Sequence, residues 1–205
     1  FIMATTAAPY GLRPVKRVDG MPYAGAFSTY LIDPAGVNTN IYYGSVVYNN
    51  ANGYIAIVTG TGADATTNDW PTGTTSVTGA IGVFVGCSYI NTNGQVIFSQ
   101  YYPSGTTGVV QAFVVDDPMV LFQAQLDGTA TQAAIGANTF FAAAQSTSTG
   151  STRTGNSTSA IESSTVTVPA AMRIVAFVSP ISDAFPDVLV KINPGFHSFS
   201  VNTGL

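Results

Sequence analysis

From residue 79 to residue 126 the chain is a series of short apolar runs cut by turn residues. In the first run Ile81, Val83, Val85, Cys87 and Tyr89 fall at every second position. Gly82, Gly86 and Ser88 lie between them, and Phe84 and Ile90 interrupt the alternation. A period of two in β-branched and aromatic residues predicts a strand with one buried face. Asn93-Gly94 supplies the positive φ of a tight hairpin, and Pro103-Ser104-Gly105 and Asp117-Pro118 punctuate the runs that follow. The expectation is a four-strand antiparallel meander that forms the main sheet.

The flanking sequence extends the pattern. Residues 27–32 predict a strand ending at the turn Asp33-Pro34-Ala35-Gly36. Residues 41–43, 45–48 and 54–59 predict three more, with 49–53 as a hairpin loop between the last two. Residues 165–168, 172–178 and 188–192 predict late strands. Helix is expected only at 127–136, with Thr129 as cap and Gly136 as stop. Residues 138–144 fit either strand or helix. Many short, turn-delimited strands define an all-β fold, an antiparallel β-sandwich or a barrel-like domain. The chain divides into an extended N-terminal arm (1–26), a β-rich body (27–193) and a C-terminal tail (194–205). In the arm Pro9, Gly11, Pro14, Gly20, Pro22 and Gly25 argue against a continuous helix or a central strand. Two long polar loops are expected, about 60–78 and 145–164. The second is rich in Ser, Thr and Gly and reads as too polar to build a core: a solvated loop, or an arm ordered by a partner.

Composition changes the picture most through charge. Only 8% of the 205 residues are charged, against about 25% in an average soluble domain. A surface of hydroxyls, amides and backbone, with so few charges, is poorly protected against self-association and suits a protein packed against neighbours. The net charge of −4 argues against nucleic acid as a general partner. No apolar run approaches the ~20 residues that cross a bilayer, so no membrane is expected. The first residues lack a secretory signal, and Met3-Ala4 reads as a start site with Phe1-Ile2 upstream. A chain of this length folds on its core alone, with no need of disulfide or metal. Cys87 has no partner for an internal bridge and reads as a small buried residue, consistent with synthesis in a reducing cytoplasm.

Catalytic chemistry is hard to assemble from these residues. His197, the only histidine, lies between Phe196 and Phe199, with neither an orienting acid nor a nucleophile in the local sequence. One His and one Cys do not make a zinc site. Asp116-Asp117 is the one adjacent acidic pair, and on a strand its side chains point to opposite faces. With Pro118 following, Asp117 is expected to end a strand and accept from local amides. Calcium bound by Asp116 or Asp117 with loop carbonyls, or by Asp64 or Asp69, is the weaker alternative. No cofactor is expected and no enzyme. Contact candidates are the basic cluster Arg13, Lys16 and Arg17, in an arm that is either fixed by them across an acidic neighbour or an ordinary mobile terminus, and Phe196 and His197 in the tail. Trp70 either pegs its loop to the body or anchors in a partner's pocket. A second class of function, carbohydrate binding on a virion or fibre, would need an exposed aromatic platform at Tyr101, Tyr102 or Trp70.

Several blocks carry a family resemblance. Met3-Ala-Thr-Thr-Ala-Ala-Pro-Tyr-Gly-Leu-Arg-Pro-Val15, Gly82-Val-Phe-Val-Gly-Cys-Ser-Tyr89, Phe98-Ser-Gln-Tyr-Tyr-Pro-Ser-Gly105, Val114-Val-Asp-Asp-Pro118 and Asp183-Ala-Phe-Pro-Asp-Val-Leu-Val-Lys-Ile-Asn193 resemble capsid-associated proteins of tailed bacteriophages, especially marine and cyanobacterial ones. The blocks spread over most of the chain but spare residues 60–78 and the Ser/Thr-rich tract. The resemblance implies a head decoration, or cement, protein on the outer capsid surface, made in the host cytoplasm. Its implied partners are the major capsid protein and further copies of itself, with a trimer favoured. It carries over no individual site residue.

Overall fold

The computed structural model describes residues 6–63, 79–146 and 148–200, and these form two β-sheets packed together. The first sheet takes β1 (Arg13–Arg17), β8 (Val120–Gln125), β9 (Asn138–Thr139), β10 (Met172–Phe177) and β11 (Asp187–Ile192). Its order is β1-β8-β11-β10-β9, antiparallel throughout. The second takes β2 (Ser28–Ile32), β3 (Val46–Asn49), β4 (Ile55–Ile57), β5 (Gly82–Ile90), β6 (Val96–Ser99) and β7 (Val110–Val115), in the order β3-β4-β2-β7-β5-β6. Strand β3 also pairs with the start of β5, through Val46 with Val83 and Val47 with Gly82. The second sheet therefore curls until it closes on itself. The expected sandwich is present, and one of its layers is barrel-like.

Closure creates two cores, and side-chain alternation assigns residues to them. Between the sheets lie Val46, Val83, Val115, Phe122, Met172, Ile174, Val188 and Val190. Inside the curl lie Ile32, Val47, Ile55, Phe84, Cys87, Tyr102, Val110, Ala112 and Val114. Consecutive residues such as Val46 and Val47, or Val83 and Phe84, serve opposite cores. Each fully buried side chain of this size contributes roughly 1.5–3 kcal/mol.

Several expectations need correction. The stretch from 79 to 126 is not a meander: β5 pairs with β6 on one side and β7 on the other, and β8 crosses to the first sheet. The alternation read as one face in β5 is split by a bulge between Phe84 and Gly86. Val83 and Val85 face the inter-sheet core, whereas Cys87 and Tyr89 face the curl. The helix expected over 127–136 shrinks to a 3-10 turn at Gln132–Ala134, without a side-chain cap. Of the strand expected at 165–168, a single bridge from Val166 to Asn138 remains.

The polar tract is not wholly solvated. Gln145, Ser157, Ser159 and Ile161 are buried. The Gln145 side chain takes the place of a strand, accepting from the Val46 N–H at 3.0 Å and donating to the Val58 carbonyl at 3.1 Å. The N-terminal segment likewise lies on its own body. Leu12 is fully buried, its N–H donates to the Gly44 carbonyl, and Gly11 N–H donates to the Ser159 carbonyl. Strand β1 then pairs with β8 at the sheet margin, where Pro14 is tolerated. The described part of the tail forms two 3-10 turns, Pro194–Phe196 and Ser198–Ser200. They are held by Phe196 and Ser198 bonding to either side of Ala80.

Candidate interaction surface

Register places the outward side chains of the curled sheet in rows. Phe98, Ser88, Gln111 and Leu31 lie side by side across β6, β5, β7 and β2. Val96 sits opposite Ile90 in the next row, and Phe113 opposite Thr29 in the row beyond Gln111. Phe27 stands against Phe113 with ring centroids 5.0 Å apart. Val109 follows two residues before Gln111, on the same side. Their neighbours in sequence, Ile32, Cys87, Val110 and Ala112, are buried in the curl. The outward residues are not: Phe27, Leu31, Ile90, Val96, Phe98 and Val109 are 46% to 77% exposed. No charged residue occurs anywhere in β2, β5, β6 or β7. So many exposed apolar side chains on one sheet face, interspersed with Ser88, Gln111 and Thr29, mark an interaction site more often than ordinary surface.

The outer face of the first sheet is different. Arg13 lies opposite Gln123, Arg173 opposite Lys191, and Asp187 opposite Gln125. The molecule thus has one charged sheet face and one without charge.

The sequence-derived candidates scatter. Arg17 is engaged at home, with Nη1 2.8 Å from Asp117 Oδ2 and Nε 3.2 Å from Asp19 Oδ2. The Arg13 guanidinium lies over the Tyr10 ring at 4.4 Å. Lys16 is half-buried on β1 opposite Leu121. The basic cluster is therefore part of a strand and its local pairs, not a free arm. Phe196 and His197 are buried, which removes them as surface contacts in the folded chain. Burial lowers the His197 pKa to about 4, against the pull of Asp116 and Asp117, and its Nδ1 accepts from the Phe199 N–H at 3.2 Å. Trp70, Asp64 and Asp69 lie outside the described residues. Of the aromatic platform, Tyr102 is buried inside the curl, and Tyr101 is half-buried and stacked on Tyr42.

Asp116 and Asp117 lie past the end of β7, in the connection to β8, and their carboxylates take different partners. Asp116 accepts from the Tyr30 hydroxyl at 2.7 Å, and Asp117 Oδ1 from the Met119 N–H at 2.8 Å. Burial and the Asp116 carboxylate raise the Tyr30 pKa. Cys87 is fully buried, and desolvation pushes its thiol up to about 12. Among the described residues no group of three or more His, Cys, Asp or Glu stands close enough to hold a metal ion. A hollow of about 430 Å³ is an open depression that includes Asn138, Arg173 and Asn193.

Sequence reasoning missed the uncharged face. The available signal was apolar residues at both strand parities, as in Val96-Ile97-Phe98 and Val109-Val110. Comparison with known proteins places the chain in no family: no family model, curated protein or solved structure matches it.

Proposed function

We propose that this chain is a viral structural protein, a capsid decoration or cement protein. It binds the outer surface of an assembled bacteriophage head and clamps the junctions between capsid subunits. The observation that supports the reading is a surface with few charges, 8% of residues, and an exposed apolar sheet face suited to assembly between copies, joined to the sequence resemblance. Such a protein works by adhesion. It needs neither cofactor nor catalytic set, only shape and surface repeated many times over a shell. An interface of standard size buries about 1,600 Å² in total, and its strength depends on its anchors more than its area. Copies joined to one another raise the effective concentration of every contact with the major capsid protein.

The test is addition of purified protein to expanded heads stripped of decoration. The expected result is saturable association and a higher rupture temperature. Protein that stays in the supernatant and leaves rupture unchanged overturns the proposal.

A further inference from the structure

We infer that the exposed face of β2, β7, β5 and β6 is covered by the same face of a second copy, giving an isologous pair. The inference takes up the self-association in the reading above, and it rests on that reading only for its biological setting. Its basis is the face itself.

Charge is the first argument. The chain carries a net charge of −4, so two copies repel over most of their surface. The four strands of this face contain no ionisable charge, and two copies meeting there bring no like charges together. A different partner would be selected by complementary charge or buried hydrogen-bonding groups, and the face offers chiefly Ser88, Thr29 and Gln111 for either.

Area is the second. Six large apolar side chains are 46% to 77% exposed, together with the half-buried Phe113. At roughly 150–250 Å² for a large side chain, they offer on the order of 600 Å² per copy, so a symmetric contact reaches the ~1,200 Å² at which specific interfaces begin.

Geometry is the third. The sheet is closed, so its outer face is convex, and the contact centres on the adjacent rows of Val96, Ile90 and Val109 and of Phe98, Ser88 and Gln111. Phe98, the most exposed at 77%, projects from the last strand in the sheet order. It is placed to insert beside Ile90 or Val109 of the second copy. A face that meets itself closes at two subunits and leaves nothing to propagate a filament. The trimer implied by the resemblance would need a different contact.

The test is sedimentation velocity of the full chain from low to high micromolar concentration, for the wild type and for Phe98→Lys, Ile90→Lys and the double variant. Circular dichroism confirms that each is folded, and Arg173→Glu on the opposite face is the control. The expected result is a wild-type dimer, a monomeric double variant with a dissociation constant raised at least about 100-fold, and an unchanged control. A wild type that is monomeric throughout overturns the inference. So does a dimer or trimer whose mass the lysines leave unchanged. Binding to heads, measured in parallel, separates the two proposals. A dimer that ignores heads removes the capsid reading and keeps the pair. A wild-type monomer whose binding to heads is lost in Phe98→Lys assigns the face to the capsid and removes the pair.

Discussion

At the scale of single residues, buried polar groups are where this protein is most exposed to damage. Gln145 supplies one acceptor and one donor to backbone groups of β3 and the segment after β4, far away in sequence. Gln145→Leu keeps the volume and orphans both backbone partners, at about 1–3 kcal/mol for each buried group left unmade. The expected loss is about 3 kcal/mol in urea unfolding, far above the effect of Ser148→Ala in the same tract, whose side chain is exposed. His197 makes a different prediction. Its pKa is about 4 in the folded protein and near 6.5 when unfolded. The unfolded chain binds the extra proton between those values, so stability is full above about pH 6.5 and falls as pH drops toward about 4. The loss approaches about 3 kcal/mol across that window. His197→Gln removes this component, so the difference in slope between variant and wild type over that range isolates it. Equal slopes would show that the imidazole does not titrate as its burial implies. Cys87 has its thiol pushed up to about 12 and no exposure, so a thiol-reactive dye should label it only after denaturant is added.

At the scale of elements, the curled sheet depends on how closely β5 approaches β7. A Cβ on Gly82 would collide with the Val115 carbonyl, and Gly86 at the bulge has φ of 140° with its missing Cβ 3.1 Å from the Ser99 carbonyl. Gly82→Ala therefore has to separate the strands at the point where β3 also pairs, opening the closure. The expected cost is about 3 kcal/mol, read as a lower denaturation midpoint; Gly94→Ala, in an open turn, should cost less. These elements also show what local sequence carries. The Asn93-Gly94 hairpin was legible because its chemistry is local: the Asn91 side chain accepts from the N–H groups of Asn93 and Gln95. The Asp33 turn and the 49–53 hairpin were legible for the same reason. The partner of each strand was not. Whether β8 continues beside β7 or crosses to β11 is decided by contacts more than 60 residues away, such as Val188 with Ala124. The same distance hid the burial of Gln145 and of Leu12, since each is fixed by a partner outside any local window. For the candidate surface, composition announced a weakly charged exterior, but which apolar parity faced outward depended on the closure of the sheet and the bulge in β5.

At the scale of the whole molecule, two opposite surfaces imply two kinds of association with different physical signatures. Contact through the face of Phe98, Ile90, Val96 and Val109 is hydrophobic, so added salt should leave it intact, and sulfate should strengthen it. Contact through the outer face of the first sheet involves Arg13, Arg173, Lys191 and Asp187, and exposed charges beyond a Debye length of ~8 Å are screened at physiological ionic strength. If pairing uses the first face, the charged face is left for the shell. Raising sodium chloride to about 1 M, where the Debye length falls to ~3 Å, should then release the protein from heads while leaving its own pair assembled. Sedimentation at the two salt concentrations, with and without heads, reads both equilibria in one experiment. Salt-resistant binding to heads with salt-sensitive pairing would reverse the assignment of the faces. That reversal would place the apolar rows against the capsid and the charged sheet between copies.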